Sequence, residues 1–231
     1  METPLTILYT HNLRGDLDAL PRLYSFLRQL KAYYSSEEVV QLCSLDPAQP
    51  PGTNLLLDLG DNCAPDVWHC QVSEGRSTLV VLDGMGYDAV RVEGAAQKQA
   101  KMGESVRLKL IDGETPLEIE DVLLTAEKDS PLPVYVGEGL GERGLSRPHS
   151  LQIVMTPSEP TRIDGKTLFL AGLNGSGEVG AAQLTKVISG WALSKHEIHE
   201  LPRRALPDPT ISAAVEFVIS EARYAQKRRS S

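Results

Sequence analysis

Apolar and polar positions follow two different periods along the first ninety residues. Residues 5–9 and 54–59 are short apolar runs rich in strand-forming side chains, and residues 89–92 form a third. Between the first two runs, apolar residues three and four apart predict an amphipathic helix over 18–34, and a second helix is predicted over 77–85. This order of strand, helix, strand, helix, strand predicts a βαβαβ unit with a mostly parallel sheet.

The second half of the chain has a different pattern, in which short apolar runs alternate with polar or glycine-rich joints. A helix is predicted only over 209–227, where apolar residues form one stripe. We therefore predict an α/β fold in a single domain over 1–231, parallel in its first half and more antiparallel in its second, with a disordered tail at about 226–231. The predicted strands of the second half are 106–111, 122–126, 134–136, 151–155, 167–171, 181–188 and 192–198.

Composition and charge narrow the classes of partner. The formal net charge of the 231 residues is −8, and an acidic surface repels phosphate backbones, so no nucleic-acid partner is expected. No apolar run approaches the roughly 18 residues of a membrane span, so no membrane partner is expected. Three cysteines, Cys43, Cys63 and Cys70, show no framework spacing, which favours reduced thiols. With no signal sequence at the start of the chain, these features predict a cytoplasmic protein.

Three segments, in order, resemble the 5′-nucleotidase branch of the calcineurin-like metallophosphoesterases. Residues 5–15 read LTILYTHNLRG where that family usually reads LTILHTNDLHG. Residues 54–62 read NLLLDLGDN, and residues 86–90 read GYDAV. A weaker match runs from 165 to about 216, whereas 100–150 matches nothing. The resemblance implies a layered sandwich of mixed β-sheets flanked by helices.

The resemblance also implies an active site with two metal ions, which bind phosphoryl oxygens and activate a water. At the family's ligand positions, the first-motif aspartate falls on Asn12 and its histidine on Arg14, which cannot ligate a metal. The bridging aspartate is kept as Asp61, with Asn62 beside it. The family's GNHE motif falls on 93–96, which read EGAA, and its later histidine falls near Pro157. Its terminal GHxH motif has no counterpart here.

This inventory predicts a degenerate phosphoesterase relative, a pseudoenzyme that binds no cofactor and acts through binding or assembly. Asp61 and Asn12 would be its vestigial metal ligands, and Arg14 and Asn62 would line a ligand pocket at the carboxyl edge of the sheet. That pocket would be vestigial or would hold a phosphate-bearing small molecule; the other partner class is a protein. The alternative is an active phosphoester hydrolase with a divalent ion such as Mn²⁺ at an atypical site built around Asp61.

The position of Arg14 suggests that its guanidinium replaces a metal ion. An ion pair between Arg14 and Asp61 would put a fixed positive charge where the family holds its ions. The alternative is that both side chains face solvent.

Three other motifs resemble metal or nucleotide sites, but their spacing favours structural roles. Cys63, His69 and Cys70 lie within eight residues, but their spacing matches no known zinc finger and a fourth ligand is not evident. His196 and His199 are three apart in a predicted strand, so they are expected on opposite faces. The glycine-rich segment 172–177 lacks the spacing of a nucleotide-binding loop and is interpreted as a turn between two strands.

Overall fold

Helices and strands were assigned in a computed structural model, which describes residues 4–35, 53–92, 108–111, 117–119, 122–126, 151–156, 159–188 and 190–229. Four helices lie in this part of the chain: α1 (Leu20–Tyr34), α2 (Trp68–Ser73), α3 (Arg76–Gly84) and α4 (Pro209–Arg229). The strands are β1 (Leu5–Thr10), β2 (Thr53–Asp58), β3 (Ala89–Arg91), β4 (Lys109–Ile111), β5 (Leu117–Ile119), β6 (Val122–Ala126), β7 (Leu151–Met155), β8 (Arg162–Asp164), β9 (Thr167–Leu170), β10 (Glu178–Val187) and β11 (Gly190–Glu200).

The strands form two sheets of mixed direction. The first has the order β11-β10-β1-β2-β3-β4, with β1 to β4 parallel and the β10–β11 hairpin antiparallel to β1. The second has the order β5-β6-β7-β9-β8, in which β6, β7 and β9 are parallel and both outer strands are antiparallel. The predicted change from parallel to more antiparallel pairing is confirmed for the first sheet, whereas the second sheet keeps a parallel centre.

The first sheet lies between a helical layer and the second sheet. Successive side chains of a strand point to opposite faces. In β1, Leu8 accordingly packs among side chains of α1, α3 and α4, whereas Ile7 and Tyr9 pack among side chains of the second sheet. Because both faces of β1 are covered, every residue of the strand is buried. The predicted α/β sandwich of mixed sheets flanked by helices is confirmed.

The predicted boundaries are close for most of the predicted elements, and the failures are short elements that were not predicted. Strand β7 begins and ends where predicted, and helix α4 continues to Arg229, into the segment predicted as a disordered tail. Helix α2 and strands β5 and β8 were not predicted. The predicted strand 134–136 lies outside the described residues, and the single-domain organisation over 1–231 stays a prediction.

Candidate functional site

The loops that follow β1 and β2 are joined by backbone hydrogen bonds at the carboxyl edge of the first sheet. The N–H groups of Asn12, Arg14 and Gly15 donate to the carbonyls of Gly60, Asp61 and Asn62 at 3.1, 2.8 and 2.9 Å, respectively. These bonds extend the pairing of the two parallel strands beyond their ends. They place the predicted site residues of both loops next to one another, as expected for neighbouring parallel strands.

His11 and Asp61 bring an imidazole and a carboxylate together at this edge. The His11 Nε2 atom lies 3.6 Å from Asp61 Oδ2, and the side chains are 11% and 61% exposed, respectively. The other ring nitrogen, Nδ1, lies 3.0 Å from the Leu173 carbonyl and 3.1 Å from the Leu173 N–H. The imidazole is therefore fixed at one end and faces an exposed carboxylate with the other.

Asn12 connects the β1 loop to the glycine-rich segment between β9 and β10. Its Nδ2 donates to the Asn174 carbonyl at 2.9 Å, and the Ser176 hydroxyl donates to Asp16 at 2.8 Å. Asn174 is held in turn, because its backbone N–H donates to the Glu178 carboxylate at 2.9 Å. The segment is a turn between two strands, as predicted, and it forms the third wall of the site.

Asn62 lies beneath the site rather than in a pocket. Its side chain is buried, and Nδ2 donates to Asp58 Oδ1 at 3.2 Å and to the Arg91 carbonyl at 2.9 Å. Asp58 also accepts hydrogen bonds from the Thr10 hydroxyl at 2.7 Å and from the Gly60 N–H at 3.2 Å. Burial raises the pKa of Asp58 to about 7, although these donors oppose the shift. Asn62 therefore stabilises the buried carboxyl group of Asp58 by donating a hydrogen bond to it.

Arg14 does not form the predicted ion pair with Asp61. Its guanidinium instead lies 3.8 Å from Asp66, and both side chains are largely exposed, at 60% and 76%. The reason lies in the backbone, where Asn12, Arg14 and Asp61 all have φ between +51° and +59°. This left-handed conformation is uncommon for residues other than glycine. It directs the Arg14 side chain toward the β2 loop beyond Asp61.

The described residues do not fit a two-metal centre. Such a centre needs a ring of carboxylates and imidazoles, and only His11 and Asp61 come together here. Asn12 uses its amide nitrogen on Asn174, and Arg14 brings a positive charge to a ligand position. The counterparts of the GNHE motif, 93–96, and Pro157 lie outside the described residues.

The loops around the site carry more negative than positive charge. Residues 11–19, 59–67 and 171–177 contain the carboxylates of Asp16, Asp18, Asp61 and Asp66 and one guanidinium, that of Arg14. All five of these side chains belong to exposed residues. These three loops therefore attract cations and repel anions.

The predicted reduced thiols are wrong for two of the three cysteines. Cys63 and Cys70 form a disulfide, whereas Cys43 lies outside the described residues. Part of the basis for a cytoplasmic location is thereby removed, and that location stays a prediction. No helix among the described residues is long and apolar enough to cross a membrane.

The histidines set aside from metal binding have structural partners. His69 places Nδ1 at 2.8 Å from the Ser77 hydroxyl and Nε2 at 3.0 Å from the Gly15 carbonyl. His196 bonds to Tyr9 on the inner face of β11, at 2.8 Å, and His199 bonds to Tyr34 of the helical layer, at 2.7 Å. The prediction that His196 and His199 face opposite sides is confirmed.

Comparison with known proteins shows similarity in structure without similarity in sequence. No protein-family model matches the sequence, and none of the curated proteins matches it. Among solved structures, the calcineurin-like phosphoesterase YfkN of Bacillus subtilis superposes with a TM-score of 0.58 at 10% identity, covering 98% of this chain and 100% of that one. Structures at this identity show the fold alone.

Two larger proteins are also similar. The sulfate thiohydrolase SoxB of Thermus thermophilus has a TM-score of 0.61 at 12% identity, over 96% of this chain and 61% of its own. A candidate 5′-nucleotidase of Staphylococcus aureus has a TM-score of 0.51 at 10% identity, over 94% of this chain and 58% of its own. The chain thus spans about three fifths of these two proteins, and it has the metallophosphoesterase fold, as the resemblance implied.

Proposed function

We propose that this chain is a degenerate metallophosphoesterase that does not carry out two-metal phosphoester hydrolysis and acts by binding a partner. The observation that carries the proposal is the use of the side chains at the ligand positions. The amide of Asn12 is bound to Asn174, Arg14 is turned toward Asp66, and Asp61 stands as a single exposed carboxylate. Without the ions, the cation at these positions is Arg14, whose guanidinium is turned toward Asp66 and not toward Asp61.

The charge of the loops favours a protein partner over a phosphate-bearing small molecule. A bare phosphate bound between these three loops would meet Asp16, Asp18, Asp61 and Asp66 against Arg14, the one arginine or lysine that the loops contain. In the family, bound metal ions would reverse this potential. Without them, a partner that presents lysine or arginine side chains fits the carboxylates better.

A hydrolysis assay tests the proposal. Purified protein with Mn²⁺ is assayed against nitrophenyl phosphate monoesters and diesters and a nucleotide panel, beside an Asp61→Ala variant. We expect no turnover above that of the variant. Turnover that the variant loses would contradict the proposal and establish an active site around Asp61.

One observation favours the second candidate, a hydrolase with a single ion. His11 Nε2 faces Asp61 Oδ2 at 3.6 Å while Nδ1 is held at the Leu173 backbone. Metal-binding histidines are commonly oriented in this way, by a hydrogen bond from the ring nitrogen that does not bind the metal. His11 and Asp61 would hold the ion, which when bound would polarise a phosphoryl oxygen and lower the pKa of a water.

A further inference from the structure

Gly15 contacts both ends of the Cys63–Cys70 disulfide loop. Its N–H donates to the carbonyl of Asn62, the residue before Cys63, at 2.9 Å. Its carbonyl lies 3.0 Å from Nε2 of His69, the residue before Cys70, and only the imidazole can donate in this contact. A Cβ added to Gly15 would lie 2.7 Å from the Cys70 sulfur, so the backbone is in close contact with the disulfide.

The segment enclosed by the disulfide also contacts the residue before Gly15. Asp66, between the two cysteines, pairs with the Arg14 guanidinium at 3.8 Å. Arg14 and Gly15 both have left-handed backbone conformations, with φ of 53° and 79°. Three contacts from 62–70 therefore hold this unusual stretch of backbone, and the disulfide fixes the relative positions of the ends of that segment.

The two cysteines differ in their burial. Cys70 is buried in α2, whereas Cys63 is half-buried and its sulfur lies 3.1 Å from the Thr78 hydroxyl. An external thiolate can thus reach the Cys63 sulfur more easily than the Cys70 sulfur. The bridge spans a sequence separation of only 7, so its closure stabilises the folded chain less than closure of a long loop would. Its contacts with Gly15 add a local effect.

We propose that Cys63 and Cys70 are a reversible thiol–disulfide pair whose oxidation state controls the order of the loop 11–15. Reduction by a small thiol such as glutathione begins with attack on the Cys63 sulfur, which breaks the bridge and releases the Cys70 thiolate. A second glutathione then attacks the mixed disulfide, so that oxidised glutathione and two protein thiols are formed. The proposal is independent of whether the chain hydrolyses phosphoesters.

The same three side chains fit a zinc site less well. Cys63, His69 and Cys70 place their ligand atoms within 4.8 Å of one another. However, both ring nitrogens of His69 already have partners, and sulfur atoms joined in a disulfide are not the thiolates that zinc requires. Zinc binding by the reduced protein is therefore one of the outcomes that would contradict the proposal.

The test uses the full chain with Cys43→Ser, which removes the third thiol. The protein is equilibrated with mixtures of reduced and oxidised glutathione without added metal, and free thiols are then alkylated and located by peptide mass spectrometry. We expect both cysteines to pass together from unmodified to alkylated as the mixture becomes more reducing. In parallel, amide hydrogen exchange of Arg14 and Gly15 should become about tenfold faster in the reduced protein, while amides in the α4 helix stay unchanged.

A Cys63→Ser/Cys70→Ser variant on the same background, which has no thiol left to react with glutathione, supplies the matched control. Its exchange at Arg14 and Gly15 should equal that of the reduced protein and should not respond to glutathione. If this variant does not fold, the reduced and oxidised forms of the parent still give the comparison. Alkylation of both cysteines in every mixture, or equal exchange in both forms, would overturn the proposal. In a separate arm zinc is added to the reduced protein, and zinc bound at one ion per chain that keeps both thiols from alkylation would also overturn the proposal.

Discussion

Asp58 is an acid buried where its charge is poorly solvated. It is 0% exposed, and burial raises its pKa from 3.8 to about 7. Because the folded-state pKa is above the unfolded one, the folded protein holds this proton more tightly. Its contribution to stability is complete below the unfolded pKa of 3.8 and is lost as the pH rises to about 7.

We expect Asp58→Asn to remove this loss. An amide at position 58 can accept from Gly60 and Asn62 and donate to Thr10, which then donates to Tyr87. From about pH 5 to about pH 8, wild-type stability should fall relative to the variant by about 2–3 kcal/mol. Urea unfolding at both pH values measures this. Asp61→Asn is the control, since it removes an exposed carboxylate and should keep the wild-type trend. A variant that shows the same pH trend as the wild type would contradict the assignment.

Arg14 combines a strained backbone with a weak ion pair. Its partner Asp66 is exposed and 3.8 Å away, so Arg14→Ala should change the free energy of unfolding by less than about 0.5 kcal/mol. At a φ of 53°, glycine avoids the penalty that Ala keeps, and Arg14→Gly should be more stable than Arg14→Ala by about 1 kcal/mol.

Thermal and urea unfolding of the two variants test this prediction, and a double-mutant cycle between Arg14→Ala and Asp61→Ala tests the pairing. Near-zero coupling is expected, because the guanidinium lies at Asp66. A coupling above about 1 kcal/mol would restore the ion pair with Asp61 predicted from the sequence.

The residues of the site could be predicted only where a family motif marked them. Asp61, Asn12 and Arg14 were found at the expected edge, because the ends of two apolar runs fixed their positions along the sheet. His11 was missed, because the family carries a different residue there. Its signal was an imidazole one residue beyond a buried strand. The Arg14–Asp66 contact could not be foreseen, since it depends on a left-handed backbone at a residue that rarely adopts one.

At the scale of elements, the beginning of α4 is fixed by a cap that the sequence displays. Asp208 precedes Pro209, and its Oδ1 accepts from the N–H groups of Thr210 and Ile211 at 2.9 and 3.2 Å. Proline suits the first helical position, and aspartate is a favoured residue before it. Arg28 of α1 adds a contact at 3.7 Å to the other carboxylate oxygen.

Asp208→Ala should destabilise the protein by about 1–2 kcal/mol, because two helix N–H groups lose their acceptor. Asp208→Ser keeps an acceptor and should recover most of this loss. Glu216→Ala, on the exposed face of α4, is the control and should be nearly neutral. Chemical denaturation gives all three values. Equal stability of the Ala and Ser variants would show that the cap contributes little.

The elements that sequence predicted well are those whose periodicity extends over several turns or a complete buried strand. Helices α1 and α4 and strands β2 and β7 belong to this group. Strands β5 and β8 have only three residues each, too few for an alternating pattern to stand out. Helix α2 is held by contacts from a distant loop, since His69 in its first turn bonds to Gly15.

At the scale of the whole molecule, the fold and the chemistry of the site depend on different residues. Two buried layers, one on each face of the first sheet, need only apolar residues at alternating positions, and the chain supplies them. A two-metal site needs particular ligands at the ends of these strands, and two of those positions hold the amide of Asn12 and the guanidinium of Arg14. The fold can therefore persist while the identity of the charged residues at its edge changes.

This separation predicts how the protein responds to manganese. A ligand that binds only the folded state raises its stability by an amount that grows with the ratio of free ligand to Kd. Since His11 and Asp61 are the only imidazole–carboxylate pair formed by the loops that follow β1 and β2, we expect about 1 mM Mn²⁺ to shift the melting temperature no more in wild type than in Asp61→Ala. The acidic loops attract cations weakly in both proteins, and the variant accounts for this background.

Differential scanning fluorimetry measures the melting temperature with Mn²⁺. A sample with Na⁺ at the same ionic strength is the control. A rise of several degrees with Mn²⁺ that Asp61→Ala and His11→Ala both lose would identify a bound ion held by these two side chains. Such a result would favour the single-ion hydrolase even where the hydrolysis assay found no substrate. Equal shifts in all three proteins would leave the carboxyl edge as a charged surface, available to a basic partner.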